Sequence, residues 1–176
     1  MFFSRVDNEE KKFMRKNKKK TAVWRPHEEH HGKTKDILSL TMDQNKVLGN
    51  YCWPQGFWAD LNYNVDIPMV LNKNNKGYKF DKLVKNFYQE IVKSFEQERT
   101  NHIYRPFGCD FAFIDAKINY RIMDELLKVW NDLGFSNDIE LIYSTPTKYV
   151  NAMIEHNNKT TDFDWKIRRD DTFPYA

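Results

Sequence analysis

"KFDKLVKNFYQEIVKSFEQERTNHIYRPFGCDF", residues 79 to 111, holds the change of pattern that decides the fold. Its first part repeats apolar side chains at three- and four-residue steps: Phe80, Leu83, Val84, Phe87, Ile91 and Phe95. That spacing predicts an amphipathic helix over 79–99 that lays one face on a core. "HIYRPF" then becomes a short apolar run and predicts a strand, with Pro106 near its end, where a missing ladder donor is tolerated. Asp110 follows, after Gly108 and Cys109 and before Phe111. A carboxylate at an apolar strand end either needs a partner or has chemistry to do.

The pattern continues outward. "DAKINYRIMDELLKVWNDLG", 115–134, predicts a second helix with Ile118, Ile122, Leu126, Val129, Trp130 and Leu133 on one face and Gly134 closing it. "IELIYS", 139–144, reads as an apolar strand. Thr145 and Pro146 read as N-cap and first residue of another helix, with Val150, Met153 and Ile154 inward. "FDWKIRR" suggests one more strand, and "FFSRV" and "AVWR" near the start suggest two more with a helix between them. Residues 26–78 carry Pro26, Gly32, Gly49, Pro54, Gly56 and Pro68 with little periodicity, and read as a long functional loop or surface excursion. Helices alternating with strands predict an α/β fold with a parallel sheet and crossover helices. In such sheets functional side chains gather at the carboxyl ends of strands, which selects Asp110, Ser144 and Arg5.

Composition sets outer limits. The chain has 176 residues, 40% hydrophobic and 15% aromatic, enough for a real core. Mean hydropathy is −0.80, and no apolar run is long enough to predict a membrane span. "MFFSRVDNEE" has no apolar signal-peptide core and reads as a strand cut in mid-run, so a fragment of a longer protein is expected. The net charge of +3 is mild. Its densest positive run, "KKFMRKNKKK" at 11–20, is expected to be a solvated helix face rather than a nucleic-acid patch, because acidic residues nearly balance it elsewhere. Cys52 and Cys109 are too far apart in sequence to argue a disulfide or a metal site. Asn158-Lys159-Thr160 is a glycosylation sequon.

Several patterns invite chemistry. Asp110 in apolar surroundings would have its pKa raised and could serve as a general acid/base; the competing reading is a structural cap of the turn. "HEEHH", 27–31, lacks the helical spacing of a zinc-protease motif and is not expected to hold a metal. In "RRDDTFPYA", Asp170 and Asp171 are adjacent, so at most one would face a site, and a salt-bridged strand end is expected. No phosphate-binding loop, dinucleotide fingerprint or Ser-His-Asp order is present.

Taken in order, "FFSRVDNEEK", "VWRP", "YCW", "FGCDF", "LIYSTPTKYVNAM", the sequon and "RRDDTFPYA" resemble the catalytic domain of glycoside hydrolase family 38, in particular its lysosomal type of α-mannosidase. The likeness is colinear over nearly the whole chain. It implies an irregular parallel β/α barrel, of which residues 1–176 would be the later part, incomplete at both ends. It also implies a retaining, zinc-dependent α-mannosidase acting on terminal mannose of glycans, in a lysosome or another secretory compartment. By the same resemblance Asp110 is the acid/base and Arg5 lies close to the site. Cys109 departs from the Ser or Asp usual before the acid/base, and no tyrosine aligns with the family's sugar-pocket tyrosine.

The resemblance also implies what this chain does not carry. The family's nucleophilic Asp and its zinc ligands belong to blocks expected before Phe2 and after Ala176, so no metal ligand is assigned here. A retaining glycosidase needs two carboxylates roughly 5 Å apart. The isolated chain is therefore expected to be inactive and to need the remainder of the catalytic polypeptide as its partner. The alternative is a diverged, non-catalytic module that binds glycans or another partner.

Overall fold

The computed structural model describes residues 2–3, 6–41, 54, 56–57, 70–108, 113–160 and 165–169. The chain divides into two compact units: Met1–Tyr51 with Ser94–Tyr104 and Thr145–Ala176, and Cys52–Lys93 with Arg105–Ser144.

The first unit is built on a four-stranded sheet in the order β1-β3-β2-β4, from Phe2–Phe3, Ile37–Thr41, Thr21–Trp24 and Ile167–Arg168. Three of these strands were legible as apolar runs. β3 was not, because it lies in the stretch expected to be irregular and carries Ser39 and Thr41. Both are buried, and Ser39 Oγ donates to the carbonyl of Ala22 at 2.9 Å, which satisfies its hydroxyl inside the sheet.

The sheet corrects the parallel expectation. β1 runs parallel to β3, with Phe2 opposite Leu40, and β2 parallel to β4, but β2 and β3 pair antiparallel from Thr21–Leu40 to Trp24–Ile37. "HIYRPF" and "IELIYS" belong to no ladder among the described residues. Ile142 and Tyr143 are 63% and 42% exposed, so the second run is not the fully buried strand its composition predicts. An apolar run reads as a strand only when a neighbour supplies its ladder and cover.

α1, Asn8–Lys16, is set by its ends: the Asp7 carboxylate accepts from the amides of Glu9 and Glu10 at 2.9 and 3.1 Å, and acidic first-turn and basic last-turn residues suit the helix dipole. α2 is one exposed turn, Glu28–His31, within "HEEHH". α5, Pro146–Lys159, starts as predicted, with Thr145 Oγ1 accepting from the amide of Lys148 at 3.2 Å. Tyr149 and Met153 face the core with Leu40, and Tyr104, Val150 and Trp165 pack around them. Ile154, predicted inward, is 43% exposed. The buried Lys20 pairs with Glu98, and the buried Tyr149 phenol is pushed up by burial first and by Glu98 second.

The second unit is held by α3, Phe80–Phe95, through its residues up to Lys93, and by α4, Ala116–Asp132. Phe80, Val84, Phe87 and Ile91 form the predicted face of α3, all buried. In α4 the buried set is Asn119, Ile122, Leu126, Val129 and Trp130, so the inward face begins one residue later than expected and Ile118 is half-exposed. Trp130 Nε1 donates to the carbonyl of Ile139 at 2.8 Å, fixing the chain after α4. Gly134, at φ 75°, supplies the left-handed residue that ends the helix.

Candidate active site

Asp110, Cys109 and Arg5 lie outside the described residues, as do Cys52, Asp170 and Asp171. What the structure does give is the frame on both sides of residues 109–112.

On the entry side, Phe107 is locked into an aromatic cluster. Its ring centroid is 5.9 Å from Phe57 and 6.0 Å from Phe87, both edge-on. Phe57 is fully buried and also meets Phe80 at 5.9 Å and Phe87 at 5.4 Å. Phe87 in turn contacts Trp130 of α4 at 6.0 Å. Edge-to-face contacts at these distances favour fixed relative orientations beyond the area they bury. Periodicity placed Phe80 and Phe87 on a core face. The cluster with Phe57 and Phe107 brings together residues far apart in the chain, which no local pattern reveals.

On the exit side, Phe113 has φ 68°, a conformation that costs a residue bearing a Cβ about 1–2 kcal/mol. Its ring lies against the backbone of Gly108: a Cβ there would sit 3.4 Å from Phe113 Cε2. Phe113 also meets Tyr120 of α4 at 5.7 Å. On either side of residues 109–112, Phe107 is thus tied to α3 through Phe87 and Phe113 to α4 through Tyr120. On α4, Asn119 is 2% exposed and its Nδ2 has no hydrogen-bond partner among the described residues.

The other sequence candidates separate. Ser144 is exposed, immediately before the α5 cap. Arg169 pairs with Glu28 of α2; the expectation of a salt-bridged strand end at Asp170 and Asp171 falls outside the described residues. Glu28 is drawn down to about 2, first by its hydrogen bond from Arg169 and then by that from Arg25. Asn158 is exposed in the last turn of α5.

His27, His30 and His31 are exposed around α2, with ring centroids 6.4 Å apart for the first pair and 6.5 Å for the second. Glu28 is taken up by Arg25 and Arg169, and no three His, Cys, Asp or Glu side chains among the described residues converge on a point. Among those residues, no helix is long and apolar enough to cross a membrane.

The whole chain, residues 1–176, matches the glycosyl hydrolases family 38 N-terminal domain, and the chain belongs to that family. It is 28% identical to the lysosomal alpha-mannosidase of Dictyostelium discoideum over 98% of this chain. It is 29% identical to that of Bos taurus and 29% identical to an alpha-mannosidase of Canavalia ensiformis, each over 99% of this chain. It spans only 16%, 17% and 16% of those three relatives, so most of each relative has no counterpart here.

Proposed function

We infer that this chain is the acid/base-bearing part of a retaining α-mannosidase that removes terminal α-mannose from glycans in a lysosomal or related secretory compartment. The observation that carries the reading is the family match over every residue of the chain, with relatives that are α-mannosidases.

Asp110 takes the acid/base role. Its carboxyl gives a proton to the glycosidic oxygen as that bond breaks, and its carboxylate later takes a proton from the water that releases the sugar. The nucleophilic carboxylate and the zinc ligands come from the rest of the polypeptide, as does the remainder of the barrel. Arg5 lies close to the sugar. The anchors at Phe107 and Phe113 support the role of the loop, because acid/base catalysis needs the carboxyl held at hydrogen-bond distance from the leaving oxygen.

The test uses the complete polypeptide containing this chain. Asp110→Asn is expected to lose turnover of unactivated mannosides. It should keep the first step on a dinitrophenyl mannoside, whose leaving group needs no proton, and azide should restore turnover as a mannosyl azide. Full activity of Asp110→Asn on an unactivated mannoside overturns the assignment. The 176-residue chain alone, with zinc, is expected to leave a chromogenic α-mannoside intact.

A further inference from the structure

No carboxylate stands between Glu10 and Glu28, and the densest positive run of the chain, 11–20, falls inside that gap. α1 carries the first part of the run and turns one side inward. Met14 is 5% exposed, and Arg168 of β4 reaches both Met14 and Glu10. The acidic residues at the start of the helix are engaged: Asp7 caps it, Glu9 holds Lys12 and Glu10 holds Arg168. Lys16, Lys18 and Lys19 have no carboxylate at ion-pair distance among the described residues. Two further features set this surface apart from a merely solvated helix face. Phe13 is 52% exposed in the middle of the cations, with Lys19 Nζ 4.8 Å from its ring centroid. Lys18, exposed, has φ 53° just past the helix cap, where glycine is usual. The turn closes around it, with Lys18 N donating to the carbonyl of Arg15 at 3.2 Å and Lys19 N to that of Met14 at 2.8 Å. Glycine would make that turn without strain, whereas lysine adds a charge at some loss of stability.

We propose that this face of α1 docks on an anionic lipid bilayer. The edge of the Phe13 ring sits at the boundary between headgroups and acyl chains, and Lys16, Lys18 and Lys19 lie against the headgroup phosphates. An exposed ring among unpaired cations supplies the two signals, apolar and electrostatic, that a reversible membrane contact needs. Duplex nucleic acid would use the cations and leave the ring idle. A single strand would stack its bases on the ring, and Lys19 stands over a face of it. The contact is peripheral, and it stands apart from mannose hydrolysis, so its test reads no turnover.

The complete polypeptide containing this chain should co-sediment with phosphatidylcholine vesicles that contain phosphatidylserine, and not with phosphatidylcholine alone. Raised salt should release it, because the cations act across water. Lys16→Gln, Lys18→Gln and Lys19→Gln combined should weaken partitioning about a hundredfold. Phe13→Ser should weaken it about fivefold, and Phe13→Trp should keep it. Lys18→Gly separates charge from backbone: it should raise the denaturation midpoint, since glycine relieves the turn, and still weaken binding. Unchanged binding by Lys18→Gly overturns the role given to that lysine. No binding to the charged vesicles at low salt, equal binding to the neutral ones, or full binding by the triple variant overturns the proposal. So does binding of random-sequence duplex DNA that the charged vesicles fail to displace, which would give the surface to nucleic acid.

Discussion

Arg25 holds Asp36 with two parallel hydrogen bonds, Nε to Oδ1 at 2.8 Å and Nη2 to Oδ2 at 2.9 Å, across eleven residues of sequence. Its Nη1 reaches Glu28 at 2.9 Å, and Arg169 reaches Glu28 from the far side, so two guanidinium groups and two carboxylates tie the end of β2 to α2, to the approach to β3 and to the exit of β4. Arg25 is 6% exposed, which makes the forked pairing its substitute for water.

The network makes a prediction about acid. Arg25 holds Asp36 below its ordinary value, and Glu28 is held at about 2, by Arg169 first and Arg25 second. A carboxylate depressed on folding contributes stability above its unfolded value and loses it as pH falls through its folded value. The contribution of Glu28 should therefore persist at mildly acidic pH and fade only between the ordinary glutamate value of 4.5 and about 2. Glu28→Gln should be more protease-sensitive than the native sequence at neutral pH, and the gap should narrow across that acid window. A gap that widens there would contradict the assignment.

A different balance holds at Lys20 and Glu98, whose side chains are 7% and 9% exposed. Removing one member of a buried pair strands the other charge and costs about 3–5 kcal/mol, whereas replacing both with apolar residues of similar size is often neutral. Lys20→Met should lower the denaturation midpoint strongly. Lys20→Met combined with Glu98→Leu should recover most of that loss. Additive losses would show that the two charges do not depend on each other.

Asn119 turns the argument round. Its buried Nδ2 has no hydrogen-bond partner among the described residues, so removing the amide should break no bond seen there. Asn119→Leu is expected to leave stability unchanged or raise it by about 1–3 kcal/mol, the usual penalty of an unmatched buried donor. A clear fall in the denaturation midpoint would mean that the amide is satisfied in solution.

How far the sequence was legible follows from the range of the forces involved. Helices were readable because their signals are local: the Phe80–Ile91 stripe, the Thr145 cap with Pro146 behind it, and Gly134 at the end of α4 all act within a turn or two. Thr145→Ala, which removes one such cap, should cost about 1 kcal/mol. Strand partners were not readable. β3 hid among polar residues because Ser39 is satisfied by Ala22, seventeen residues earlier, and the antiparallel β2–β3 pair has no local signature. The family likeness located the candidate acid/base at Asp110. Its anchors came only from the fold, since Phe57 and Phe107 are joined by no periodicity.

Those anchors give the last prediction. If the Phe57 cluster exists to aim the loop after Phe107, its two members should fail differently. Phe57 is fully buried among three rings, so Phe57→Ala should cost about 3–5 kcal/mol and unfold much of its unit. Phe107 is half-buried, and Phe107→Leu keeps most of its apolar volume. It should cost only about 1 kcal/mol of stability, since volume-conserving swaps in a core are usually tolerated. The leucine lacks the edge-to-face contacts to Phe57 and Phe87 that fix the approach to residue 110. In the complete polypeptide, kcat of Phe107→Leu on an unactivated mannoside should fall about tenfold or more with KM little changed, because misplacing a proton donor weakens the transition state without loosening the substrate. Read as kcat/KM, which reports the first step, a dinitrophenyl mannoside, whose leaving group needs no proton, should be far less affected than the unactivated mannoside. Equal losses on both substrates would mean that the cluster supports the fold and does not position Asp110.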